Sequence, residues 1–206
     1  MFKINKKMSE LILLQRTGYG LKPENEEAVA AAYYSDMFQA YSDIAKHIPN
    51  ECNSVLDIGC GIGGIDVLIG QKHPSCKFAM LDRDGMEDAV FYGFKEHGAK
   101  YNYLSDTREF MVDNGICADN ISTFNADKGE WPADKTFNVV LSLISWGFHY
   151  PISTYLPLVY NAMTPKSVLI LDIRHNSRGY DELFSMFKHA GIVRRFSKCN
   201  RVILKK

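Results

Sequence analysis

Apolar and polar positions along the chain follow two periods. From Ala28 to Ile48 apolar residues recur at helical spacing and stop at Pro49, which predicts one long helix over about 24–47. Pro23 suits the entry to that helix, and Glu24, Glu26 and Glu27 complement the positive end of its dipole. A shorter helix is expected over 7–15, ended by Thr17-Gly18-Tyr19-Gly20. Beyond residue 50 the pattern changes to short apolar runs at 55–58, 77–81, 121–124, 137–143 and 167–173. The fourth, Phe137-Asn138-Val139-Val140-Leu141-Ser142-Leu143, is nearly continuous, as in parallel strands covered on both faces. Helices are predicted between these strands: one running to about 73, one over 105–114 with Ser105 as N-cap and Gly115 as its end, and others over 152–163 and 179–190. Two last runs, 192–196 and 201–204, are close enough to pair as a hairpin.

Strands alternating with helices and followed by a hairpin predict an α/β, doubly wound sheet with an antiparallel end. One domain over 1–206 is expected, with 1–50 as an N-terminal helical cap. The stretch 84–104 departs from the pattern. It combines Phe91, Tyr92, Phe94, Tyr101 and Tyr103 with Gly85, Gly93 and Gly98, and reads as an inserted, lid-like segment whose aromatics either pack or touch a ligand.

Composition removes several classes of function. The 24 basic and 24 acidic side chains cancel, leaving no electrostatic footprint for nucleic acid or an anionic membrane, so neither partner is expected. The five cysteines are scattered without a C-x-x-C pair, which argues against a disulfide framework and against a metal site. Lys3, Lys6 and Lys7 precede only four consecutive apolar residues, Leu11-Ile12-Leu13-Leu14, too few for a secretion signal. A soluble, cytoplasmic protein is the expectation, its oligomeric state unspecified.

The candidate chemistry begins at Val55-Leu56-Asp57-Ile58-Gly59-Cys60-Gly61-Ile62-Gly63-Gly64, a strand running into a glycine loop and a helix start. Glycines allow close backbone approach, and the free N–H groups of a helix start favour a hydrogen-bonding ligand. Gly59, Gly61 and Gly64 satisfy G-x-G-x-x-G, with Asp82 about 20 residues on, as a nicotinamide dinucleotide site requires. Asp57 points elsewhere: with Gly59, Gly61 and Gly63 it makes D-x-G-x-G-x-G, and a carboxylate there suits an ammonium group and repels a pyrophosphate.

In these features residues 53–206 resemble the class I S-adenosylmethionine-dependent methyltransferases. The resemblance implies a seven-stranded mixed sheet in the order 3-2-1-4-5-7-6, with helices on both faces, and S-adenosyl-L-methionine as cofactor. It implies that Asp57, Gly59, Cys60, Gly61 and Gly63 hold the methionine portion and that Asp82, followed by Arg83, takes the ribose hydroxyls. Asn125, Ala126 and Asp127 would lie by the adenine, and Ser142 would close the cofactor site at the end of the fourth strand.

Methyl transfer from a sulfonium requires mainly alignment of the nucleophile and removal of its proton. The segment after the fourth strand, Ser145-Trp146-Gly147-Phe148-His149-Tyr150-Pro151, should meet the methyl group. His149 is the candidate base and Tyr150 its orienting partner; the alternative for His149 is a packing residue. Arg174, after the fifth strand, could clamp an acceptor carboxylate or phosphate, or else pair with Asp172. The D/N-P-P-Y/F signatures of amino-group methylation on bases are absent. This loop and Tyr92-Gly93-Phe94-Lys95 also resemble, more loosely, bacterial proteins labelled sugar or small-molecule O-methyltransferases. The expected activity is thus methylation of a hydroxyl oxygen on a small polar molecule, a sugar or glycan precursor. Alternatives are N- or protein methylation, or an inactive cofactor-binding partner subunit.

Overall fold

The computed structural model describes residues 1–87, 101–175, 177 and 179–206. Seven strands form one sheet: β1 (Ser54–Ile58), β2 (Lys77–Asp82), β3 (Ile121–Asn125), β4 (Phe137–Ser142), β5 (Met163–Arg174), β6 (His189–Arg195) and β7 (Cys199–Lys205). Their order across the sheet is 3-2-1-4-5-7-6, as the resemblance implied. The first five are parallel, and β7 runs antiparallel to both β5 and β6. Among the described residues six α-helices surround the sheet: α1 (Lys6–Gln15), α2 (Glu26–Ile44), α3 (Gly64–Lys72), α4 (Leu104–Asp113), α5 (Leu156–Asn161) and α6 (Gly179–Met186).

Both faces of the sheet are covered, which is why its strands carry continuous apolar runs. Val55, Met80, Val139, Leu141 and Ile170 face a core shared with α1–α4. Leu56, Ile58, Leu81, Val140 and Leu171 face a second core with α5 and α6. Register then places the carboxyl ends of the central strands level: Ile58 opposite Leu81, Asp57 opposite Leu141, Asp82 opposite Asn125. That edge of the sheet is the crevice where strand order reverses, between β1 and β4.

Several boundaries differ from expectation for local reasons. Helix α2 begins at Glu26 because Asn25, not the proline region, caps it by accepting from the Ala28 N–H. It ends at Ile44 in a 3₁₀ turn over Ala45–His47. Helix α4 starts one residue before Ser105, and its cap comes from outside: Asp84 Oδ1 accepts from the Leu104 N–H at 3.0 Å. The expected helix over 152–163 divides into a 3₁₀ turn at Ile152–Thr154 and the six-residue α5, while β5 begins earlier, at Met163. Helix α6 is shorter than 179–190 because β6 already starts at His189. Within the insert, Gly85–Met86 and Tyr101–Asn102 form a two-residue antiparallel ribbon. Phe91, Tyr92, Gly93, Phe94, Lys95 and Gly98 lie outside the described residues. Among the described residues no helix is long and apolar enough to cross a membrane.

Candidate functional site

A cavity of about 760 Å³ opens at the carboxyl edge of the sheet. Its floor is Asp57, Gly59, Cys60, Gly61 and Asp82; Arg83, Ala126 and Asp127 form one end, and His149, Tyr150 and Tyr155 one wall. Ten of the sequence-predicted residues therefore share one space.

The glycine loop is shaped by what surrounds it. Gly59 has φ +73°, and a Cβ there would lie 1.7 Å from Ser145 Oγ, so the loop after β4 occupies the room that a side chain would need. Gly61, at φ +53°, faces Gln15 Oε1 at 3.0 Å from its would-be Cβ. Gly63 lies outside the cavity; it packs on Met111 and Met80 and supplies the left-handed turn into α3. The carbonyl of Gly61 accepts from Thr107 Oγ1 (2.6 Å) and Asn102 Nδ2 (2.7 Å), fixing the loop from the side of α4.

Asp82 receives the Gly61 N–H at 2.8 Å on Oδ2 and the Arg83 N–H at 2.8 Å on Oδ1. Burial pushes its carboxyl up to about 6, against the pull of those two N–H bonds and of the Arg83 charge. Arg83 bridges to Asp127 at 2.7 Å and to Glu87 at 3.1 Å, closing the end of the cavity beside Ala126. Asn125 stands behind this end: its side chain caps the turn by accepting from the Asp127 N–H. Asp57 is buried and faces a second buried carboxyl, Asp66 of α3; burial raises both, Asp66 to about 7.

The loop after β4 is rigidly built. Ser142 Oγ donates to the Ile58 carbonyl (2.8 Å) and accepts from the Trp146 N–H (2.9 Å). It therefore ties the ends of β1 and β4 together and does not line the cavity. Trp146 is fully buried, its indole N–H on the Ile152 carbonyl. Tyr150 bonds Ser145 Oγ through its hydroxyl at 3.2 Å, and burial keeps that phenol well above its usual range. The Phe148 ring meets His149 edge-on at 4.8 Å. Ile144 takes φ +55°, a strained conformation for a β-branched residue, and stands half exposed at the cavity.

Like Gly63, Asn125 and Ser142, Arg174 departs from expectation. Arg174 is not at the cavity: its Nε donates to the Phe148 carbonyl at 2.9 Å and its guanidinium covers the Phe148 ring at 4.6 Å. Its position on β5 brings it under the loop, which it holds in place, and it is not an acceptor clamp. Nor is it the partner of Asp172, which is taken in two bonds by Arg201, at 2.8 and 2.9 Å. Sequence reasoning expected a helical cap over 1–50 but not that this cap meets the terminal hairpin at the cavity. There Gln15, Arg16, Tyr33, Asp36 and Asp43 of the N-terminal region meet Arg194, Phe196 and Arg201 of the terminal hairpin. These groups are more than 150 residues apart, and no local signal joins them.

No protein-family model matches the chain. An (S)-tetrahydroprotoberberine N-methyltransferase of Eschscholzia californica is 25% identical over an alignment of 135 positions that covers 63% of this chain; the chain spans 33% of that relative's length. A Nostoc punctiforme protein assigned as an O-methyltransferase has a similar structure, with a TM-score of 0.58 at 15% identity, over 98% of this chain and 66% of that one. A 16S rRNA N2 G1207 methyltransferase of T. thermophilus, solved with AdoMet and guanosine, gives 0.56 at 10% identity over 82% and 42%. Together with the strand order and the glycine loop, these likenesses establish that the chain has the fold of the class I S-adenosylmethionine-dependent methyltransferases.

Proposed function

We propose that the chain is an S-adenosylmethionine-dependent methyltransferase acting on a hydroxyl oxygen of a small polar molecule, of the class of sugars or glycan precursors. The observation that carries this reading is one continuous cavity running from Asp82 and the glycine loop to His149. Its volume suits a nucleoside cofactor with a small acceptor. The residues fit the cofactor's chemistry. The backbone of Gly59 and Gly61 lines the cavity, Asp82 retains acceptor capacity for two hydroxyls, and Asp57 lines the space for an ammonium group. Ala126 and Asp127 would flank the adenine. The cofactor supplies a methyl group on a good leaving group. The protein's part is to hold the acceptor oxygen in line and, at His149, to accept its proton. Tyr150, through Ser145, keeps the loop that carries His149 against Gly59.

A nitrogen acceptor is the second reading, favoured by the N-methyltransferase named above. Transfer of labelled methyl from S-adenosylmethionine to panels of sugars, other alcohols and amines separates the two. With an acceptor in hand, His149→Ala should lower turnover by about 100-fold or more while S-adenosylhomocysteine still binds. Asp82→Ala should instead weaken that binding at least tenfold, given roughly 1.5–3 kcal/mol per charge-assisted bond. Near-normal turnover in the His149 variant would remove it as the base.

A further inference from the structure

Asp66 is a carboxyl in a place that composition would give to an apolar residue. It lies in the first turn of α3, where every residue from Gly64 to Gly70 is buried, and it has no solvent exposure. Neither of its oxygens has a donor in hydrogen-bond geometry. The group in side-chain contact with it is the carboxyl of Asp57, itself buried and lining the cavity. Ionised carboxylates are acceptors only, so this contact is a hydrogen bond only when one of the two carries a proton.

Among the described residues no ion pair reaches Asp57 or Asp66. Asp82 faces the two carboxyls from the end of β2 and Cys60 from the glycine loop, and Cys76 precedes β2. From α2 comes Tyr33, whose hydroxyl lies close to Gly64 and which feels the charge of Arg16. On the side of α4 the contact at Gly63 is apolar, through Met111.

We infer that Asp66 is a positioning residue for cofactor binding: in the free protein it shares a proton with Asp57, and a cationic ligand group at Asp57 drives that proton out to solvent. Binding and proton release are then one event. The bond broken is O–H on the carboxyl pair, and the positive charge that leaves as a proton is replaced by the ligand's ammonium. The upward displacement of both carboxyls agrees with this. The inference rests on the cofactor reading above.

The test is calorimetric titration with S-adenosylhomocysteine in buffers of different protonation enthalpy, for the wild type and Asp66→Asn, at pH 6.5 to 8. The lower end of this window overlaps the titration of Asp82, raised to about 6, and the comparison of the two proteins cancels it. The wild type should release up to one proton more than the variant, the excess shrinking towards pH 8. Its affinity should rise with pH by up to about tenfold per unit more steeply; comparing the two proteins cancels any titration of the ligand. Equal proton release and parallel pH profiles would overturn the role of Asp66. Absence of binding by the wild type at every pH would instead overturn the cofactor reading. A measurement on the unaltered protein guards against a variant that does not fold. The infrared band of a protonated aspartic acid, assigned by ¹³C-aspartate labelling, should disappear when S-adenosylhomocysteine is added; its persistence would also sink the inference.

Discussion

Gly59 shows how a single residue can belong to two elements. Its left-handed φ serves the turn from β1, while its missing side chain makes room for Ser145 on the loop after β4. Gly59→Ala should therefore fail twice. The backbone term alone costs about 1–2 kcal/mol, and the Cβ would displace Ser145 together with its bond to Tyr150. Urea denaturation should show a loss of at least that size, with S-adenosylhomocysteine binding lost as well. Gly18→Ala is the control. Gly18 has ordinary φ and open space around it, so stability should change by less than about 0.5 kcal/mol. Residue-scale legibility was uneven. The spacing of Asp57, Gly59, Gly61 and Asp82 reflects local backbone demands and is visible in sequence. The hydrogen-bonding commitments of Ser142 and Arg174 come from neighbours on other strands, so the sequence carries no sign of them.

At the scale of elements, the N-terminal helices are attached to the terminal hairpin through charge. Asp43 near the end of α2 accepts from Arg194 at 3.0 Å and from Arg201 at 3.4 Å, while Arg201 also holds Asp172 in two bonds within the sheet. Phe196 lies against both guanidinium groups. Asp172 and Arg201 are buried, and breaking such a pair leaves an uncompensated charge. Asp172→Asn should destabilise the fold by roughly 3–5 kcal/mol, read by chemical denaturation. Asp43→Asn should cost clearly less, because Arg201 keeps Asp172. Equal losses would show that the link between α2 and the hairpin matters as much as the pair inside the sheet. The ends of elements were least legible for the same reason that they are cooperative: α4 takes its cap from Asp84, 20 residues away.

For the molecule as a whole, the site stores electrostatic cost. Burial raises Asp57, Asp66 and Asp82 together. A carboxyl whose folded pKa lies above its unfolded value binds more protons in the native state, so its contribution to stability falls as pH rises between the two values. For Asp66 that window runs from 3.8 to about 7. Asp66→Asn should accordingly exceed the wild type in Tm by more at pH 8 than at pH 5, a difference readable by calorimetric melting. A variant equally or less stable at pH 8 would mean that the ionised carboxyl is not a burden on the fold. On the proposed cofactor reading, a cationic ligand in the cavity offsets this cost, which the free protein bears.

The alternation of strands and helices, the terminal hairpin and the glycine loop that floors the cavity were legible in sequence alone, because they follow from local periodicity and from glycines whose conformations other residues cannot share, while the strand order was what the resemblance implied. Tertiary structure decided the rest. It put Asp66 behind Asp57, moved Arg174 from the cavity to the underside of a loop, and assembled a wall from Arg16, Asp43 and Arg194. Those arrangements depend on which faces of distant helices and strands meet, and that is set by the packing of both cores against one sheet.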